Sequence, residues 1–292
     1  MSSNVVLLIN CPDQPGIVAK VSNFLFANGA NIIDSQQHST GLDQEFFMRI
    51  AFEASNFKLS PEDTVKEFEK ISSEYKMNYS FNCQKEKKKM GVLVSKYDHC
   101  LYDILLRQKY GELNVEIPLI ISNHKDLEPV AKTFSIPFKH VPVDLDAHGG
   151  DRDKAKKASE AEVIKLMDEA NVELVALARY MQILTEGFIE HYPYKIINVH
   201  HGFLPAFKGA KPYHQAYEKG VKVIGATAHY ATKDLDMGPI IDQDVIRVNH
   251  RDDVEDYLAK GRDIEKMVFA NALKAHANDK VIVCHGRTIV FE

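Results

Sequence analysis

The chain opens on an apolar run, Val5–Asn10, followed by a cluster of turn residues, Pro12, Asp13, Pro15 and Gly16. Ile17, Val18, Val21, Phe24, Leu25 and Phe26 then recur at helical spacing, up to the stop signal Asn28-Gly29. Asn31–Ser39 begins apolar and turns polar. In Glu45–Glu53, Phe46, Met48, Ile50 and Phe52 alternate with a second face, which is the period of a strand. Ser60-Pro61-Glu62 opens a second helix, with Pro61 suited to its first position. Met77–Cys83 reads as a last strand. The order βαββαβ predicts a ferredoxin-like unit with a half-buried sheet.

A charged run, Gln84–Lys89 (QKEKKK), comes next and reads as a solvated linker. The expected organisation is a first domain over 1–84, a linker over 85–89 and a second domain over 90–292. Strands are expected at Val92–Val94, Val115–Ser122 (broken only by Pro118), Phe138–Val143, Val172–Ala178, Lys195–Val199 and Val223–Tyr230. Helices are expected at Asp98–Lys109, Asp126–Phe134, Arg152–Asn171 and Val254–Ala277. Alternating strands and helices predict an α/β fold with an open, mostly parallel sheet, whose ligands bind beyond the carboxyl ends of the strands. The first strand-to-helix turn, VSKYDHCLYDIL, lacks GxGxxG, which removes a dinucleotide reading and leaves no phosphate cradle there. Val281–Cys284 and Thr288–Phe291 flank His285-Gly286-Arg287 as a closing hairpin, assigned to packing only.

Composition narrows the function. A length of 292 residues suits about two domains. A net charge of -5 gives no support for a nucleic-acid partner or an anionic membrane surface. No apolar run approaches the roughly 20 residues of a bilayer span. The N-terminus lacks the basic segment of a signal peptide. The four cysteines form no CxxC pair, which argues against a zinc site and suits a reducing cytoplasm.

The candidate chemistry lies in Lys195–Val248. Asn198 and His200 are two apart on a strand, so their side chains leave on one face. Asn198 offers a neutral donor for a developing oxyanion. Asp236, in a loop closed by Gly238-Pro239, can hold an imidazole, align a water or act as a base. Asp234 could do the same work on sequence grounds. His201 points to the opposite strand face and is open between structural and functional roles. His214 and His229 read as structural. No metal is expected.

Two resemblances follow from these residues. DQPGIVAKVSNFLFANGANI, Asp13 to Ile32, resembles an ACT domain. That resemblance implies an amino-acid effector, a homo-oligomer, and effector contacts at Gly16 and Asn31. NVHHGFLPAFKGAKPYHQA and HYATKDLDMGPII resemble the fold of the formyltransferases that handle 10-formyltetrahydrofolate. There an Asn-x-His pair and an Asp in an LDxGP loop form the catalytic set, which falls on Asn198, His200 and Asp236. LARYMQIL resembles the segment lining the pterin pocket, so Met181, Gln182, Ile183 and Leu184, with Asp234 and Leu235, are the implied substrate contacts. With both domains in one chain, the sequence is most similar to the formyltetrahydrofolate deformylases. The resemblance implies a cofactor-free hydrolase that releases formate and tetrahydrofolate, in one-carbon metabolism and formate supply for purine synthesis. Protonated His200 and Asn198 would steady the oxyanion while Asp236 orients His200 and the water. The alternatives are a transferase with an amine acceptor and a non-catalytic folate or amino-acid sensor. The chain departs from the family pattern at Gly202, where a serine is usual, and at Gln182, where an arginine is usual.

Overall fold

The computed structural model describes residues 4–41, 43–207 and 211–292, and the chain divides into two compact units. The first contains β1 (Asn4–Pro12), α1 (Ile17–Ala27), β2 (Asn31–Thr40), β3 (Glu45–Glu53), α2 (Pro61–Tyr75) and β4 (Asn78–Cys83). The sheet order is β2-β3-β1-β4, with antiparallel pairing throughout. Both helix starts follow from the sequence. Gly16 takes φ 95° ahead of α1, and Ser60 caps α2 by accepting from the Asp63 amide, with Pro61 in the first turn.

The inner face of β3 behaves as its alternation predicts: Phe46, Met48, Ile50 and Phe52 pack with Val21, Leu25 and Phe68 from the helices. At β3 the other face is also covered, although β2 is largely exposed and β4 alternates. Residues 278–284 and 289–292 belong to this first unit, so the expected single domain over 90–292 does not hold at its C-terminal end. Phe47 packs against Ile282 and Phe291. Arg49, 5% exposed, donates to the Asp279 carbonyl at 3.0 Å and pairs with Asp34 at 2.7 Å. Chain order alone hides this return, because the covering residues lie some two hundred positions away from the strand they cover.

The second unit spans 88–277 and 285–288. It runs β5 (Lys88–Val94), α3 (His99–Lys109), β6 (Val115–Glu116), β7 (Ile120–Ser122), α4 (Glu128–Thr133), β8 (Phe138–His140), α5 (Arg152–Glu169), β9 (Leu174–Ala178), α6 (Glu186–His191), β10 (Ile196–His200), α7 (Pro212–Glu218), β11 (Val223–Tyr230), β12 (Ile240–Arg247) and α8 (Val254–Ala277). The last two strands, β13 (Val281–Cys284) and β14 (Arg287–Val290), form the expected hairpin. The strand expected over Val115–Ser122 is split in two, with Pro118 in the gap, since proline cannot donate to a ladder.

The main sheet has the order β12-β11-β10-β9-β5-β7-β8, with β6 beside β5. Pairing is parallel from β10 to β8 and antiparallel at β11 and β12. β9 is buried at every residue, as its unbroken apolar run requires. One face packs on α5 and α6 through Val163, Met167, Phe188 and Tyr192; α8 lies along β10, β11 and β12 and against α3. Because β5, β9 and β10 are parallel, the loops after Val94, Ala178 and His200 open at the same edge.

The loop after β11 is pinned at its base. The Tyr230 amide donates to the Pro239 carbonyl at 2.9 Å, and a Cβ on Gly238 would lie 1.7 Å from the Tyr230 carbonyl oxygen. Only glycine fits there. Gly238→Ala should therefore cost stability, on the order of 2 kcal/mol or more, because backbone must move. Urea midpoints of the two proteins check this, and a value within error of the parent would contradict the close approach.

Candidate active site

Residues far apart in the chain converge at the junction of β10 and β11. The antiparallel register sets His229 directly across from Asn198, and Thr227 across from His200. Asp236 reaches in from the loop after β11. Its Oδ2 lies 3.2 Å from His200 Nδ1, and its Oδ1 lies 3.8 Å from His229 Nε2. Asn198 Nδ2 lies 3.3 Å from His229 Nε2. The side chains of His200 and His229 are 4% and 3% exposed and that of Asp236 is 10%, so these polar groups meet in a largely dry place.

Partners assign the protons. His229 Nδ1 lies 3.0 Å from the Tyr230 carbonyl, which can only accept, so Nδ1 carries the hydrogen. In the neutral ring Nε2 is then a lone pair, and it accepts one Asn198 amide hydrogen. That contact fixes which way the Asn198 amide faces and leaves its second N–H free to donate. Burial alone would raise the Asp236 carboxyl, but the hydrogen bond to His200 outweighs it and holds the group well below the usual carboxylate range. The ionised Asp236 accepts from His200 Nδ1. His200 Nε2 is buried and has no hydrogen-bond partner among the described residues, so its lone pair is uncommitted. Gly202 sits beside it: a Cβ there would be 3.0 Å from Nε2. Asp236 itself holds φ 56°, an uncommon conformation for a residue other than glycine, and the pinned loop enforces it.

The structure thus brings together Asn198, His200 and Asp236. It separates the two acidic candidates of the loop. Asp234 is exposed, and its carbonyl accepts from Met237 and Thr232 within the turn. Leu235 is 56% exposed beside it. His229, read from sequence as structural, belongs to the cluster; the only sequence signal was its place within an apolar strand next to the candidate loop. His201 lies just past β10, with its ring 5.5 Å from that of His200, and His214 lies on α7. Met181, Gln182, Ile183 and Leu184 form an irregular segment after β9, with Met181 and Ile183 53% and 62% exposed. The Met181 amide already donates to Ser95 Oγ at 3.0 Å.

Gly16 and Asn31 are not brought together within the chain. Gly16 follows the Pro12 end of β1, whereas Asn31 pairs with Glu53, which also pairs with Asn4 at the other end. The 11 residues of α1 carry the chain back between them. One pocket within a single copy cannot use both.

Comparisons with known proteins agree over the whole chain. The formyl transferase family matches residues 88–273, and the ACT domain family matches residues 5–71. A formyltetrahydrofolate deformylase of Synechocystis sp. is 45% identical, over 98% of this chain and 97% of its own. The crystal structure of a formyltetrahydrofolate deformylase from Pseudomonas syringae superposes with a TM-score of 0.93 at 43% identity, covering 100% of this chain and 95% of that one. A glycinamide ribonucleotide transformylase from Symbiobacterium toebii superposes less well, with a TM-score of 0.65 at 29% identity, over 72% of this chain and 97% of its own.

Two histidines in the second unit titrate abnormally and set a pH dependence. Burial pushes His201 down to about 3, helped by the Arg179 charge. Burial, with the Lys88 and Lys195 charges, pushes His276 down to about 3. Both stay neutral in the fold and gain a proton on unfolding below about pH 6.5. The unfolded chain then binds more protons, so stability should fall as the pH drops from about 6.5 towards 3, by up to about 1.4 kcal/mol per pH unit for each histidine. Urea midpoints across that window check this, and His276→Gln should flatten the slope.

Proposed function

The chain belongs to the formyltetrahydrofolate deformylase family, and we infer from this that it hydrolyses 10-formyltetrahydrofolate to formate and tetrahydrofolate. The observation that carries the site assignment is the chain of contacts Asn198–His229–Asp236–His200 in a largely dry place. Water attacks the formyl carbon while His200 Nε2 takes its proton. The new positive charge on the imidazole is balanced by Asp236 at Nδ1. Asn198, held by His229, donates its free amide hydrogen to the oxyanion, as does the protonated His200. The tetrahedral intermediate then breaks its C–N bond, and N10 of the folate leaves with the proton from His200. Formic acid ionises to formate. The residues need no cofactor for these steps.

The pterin is assigned to the segment Met181–Leu184, through backbone groups, with Asp234 and Leu235 on the facing loop. Since the Met181 amide is taken by Ser95, the amides of Gln182, Ile183 and Leu184 remain for it. A backbone contact tolerates Gln182 in place of arginine. The ACT domain is assigned an amino-acid effector, bound between copies in a homo-oligomer, because Gly16 and Asn31 cannot share a pocket within one chain. The formate is assigned to purine synthesis, and the protein to the cytoplasm; among the described residues no helix is long and apolar enough to cross a membrane.

Formate release from 10-formyltetrahydrofolate, with no amine added, tests the hydrolysis, and the same assay with methionine or glycine tests the effector. Asn198→Ala and His200→Ala should each lower kcat by about 10²-fold or more, the usual cost of losing an oxyanion donor. Asp236→Asn should cripple kcat and leave folate affinity nearly unchanged. Near-parental turnover in Asp236→Asn would remove that residue from its assigned role.

A further inference from the structure

A second buried cluster lies beside the first and takes no part in the steps above. Its centre is Glu265 on α8, 2% exposed. Glu265 Oε2 lies 2.9 Å from His99 Nε2 and 3.6 Å from Arg179 Nη1, and Glu265 Oε1 accepts from the Tyr213 hydroxyl at 3.0 Å. Burial would push the Glu265 carboxyl up, but the His99 hydrogen bond and the Arg179 charge hold it below its ordinary range. The cluster is therefore an internal ion pair, Glu265 with Arg179, to which His99 and the Tyr213 hydroxyl add hydrogen bonds. A metal ion would find three ligand types here, since His99, Cys100 and Glu265 offer atoms within 4.8 Å of one another. The guanidinium already supplies the positive charge, and burial pushes the Cys100 thiol well up, away from the thiolate a metal needs.

The partners of Glu265 come from three separate elements: the start of α3, the end of β9 and α7. His99 begins α3, in the connection after β5. Arg179 is the first residue past β9, held at φ 61°, with its guanidinium 4.9 Å from the centre of the Tyr97 ring. Tyr213 is on α7, which follows the loop carrying His201. Its ring lies against the α8 backbone at Gly261, where a Cβ would come within 2.3 Å of it. The His201 ring bridges the two clusters, 5.5 Å from His200 and 6.1 Å from Tyr213. In an open sheet of this kind the space beyond the strand ends is where ligands bind. Across the His201 ring from His200, near the end of β9 and the start of α3, lie the protein's own paired charges.

We propose that Glu265 is a positioning residue that decides the acceptor: by tying the start of α3, the end of β9 and α7 into one closed cluster across the His201 ring from His200, it denies an amine room next to the formyl carbon and leaves water as the nucleophile. This rests on the hydrolase reading above and extends it from the reacting groups to the choice between water and amine. When the cluster is loosened, an amine nitrogen can form the new bond to the formyl carbon. The C–N10 bond breaks, N10 takes the proton the amine loses, and the product is a formamide instead of formate.

The test follows both products from 10-formyltetrahydrofolate with glycinamide added at high concentration. The parent protein should give formate alone. Glu265→Gln should give N-formylglycinamide as well, with formate kcat lower by about 10-fold or more and the folate KM little changed, as expected when a support residue shifts reacting groups. His99→Ala, which removes one hydrogen-bond partner of Glu265 and spares the ion pair with Arg179, should also yield the formamide and decides the matter alone if Glu265→Gln does not fold. Folded variants that make formate only, at any rate, would overturn the proposal. A parent protein that releases no formate would instead overturn the hydrolase reading, independently of what the variants do.

Discussion

The site depends on one carboxylate paired with one imidazole, with a second imidazole close by. Asp236 accepts from His200 and lies near His229, and the three meet where little water reaches. A buried carboxylate is costly unless it is paired, and a buried imidazole without a partner is costly too. Each makes the other affordable. The same contact fixes the tautomer, because an acceptor at Nδ1 puts the hydrogen there and leaves Nε2 as the lone-pair nitrogen. The backbone follows as well: the left-handed turn at Asp236 and the close approach of Gly238 to Tyr230 exist to deliver that carboxylate.

Around this centre the protein uses neutral pairings in place of solvent. His229 spends one nitrogen on a backbone carbonyl and the other on Asn198, so an amide that could face either way has one orientation. His201, kept neutral by burial, separates the reacting pair from the Glu265–Arg179 ion pair without adding charge of its own. Preorganised dipoles of this kind stabilise a developing oxyanion without reorganising at the moment of reaction. The second cluster pairs its own buried charges in the same way, Glu265 with Arg179, beside His99 and Tyr213.

The first unit shows a different economy. Its helices cover one face of the sheet with aromatic and aliphatic side chains. The other face of β3 carries Phe47 and Arg49, and the chain's own last residues cover it. Arg49 suits this position because its planar fork can donate to two backbone carbonyls and a carboxylate at once. Its strand is thereby buried on both faces within a sheet whose alternation, read locally, suggested one.

Much of this was legible before any coordinates. Apolar periodicity located nearly every strand and long helix, because period 2 and period 3.6 are local consequences of backbone geometry. The Asn-x-His pair and the loop carrying Asp236 were legible too, since they resemble a known motif and lie at strand ends. Composition and spacing alone could not decide which loop carboxylate meets the imidazole, because Asp234 and Asp236 are chemically alike; the family resemblance chose Asp236, and the pinned turn at Gly238 brings that carboxylate to His200. The sequence could not distinguish His229 as a support for Asn198 from a histidine that merely packs, because the antiparallel register that opposes them joins residues 31 positions apart. Nor could it foresee that Glu265, His99, Arg179 and Tyr213 share one buried point, or that the C-terminal residues cover β3. Local pattern determined the elements; which distant side chains share a low-dielectric space was decided by the tertiary fold alone, because that depends on how the elements pack.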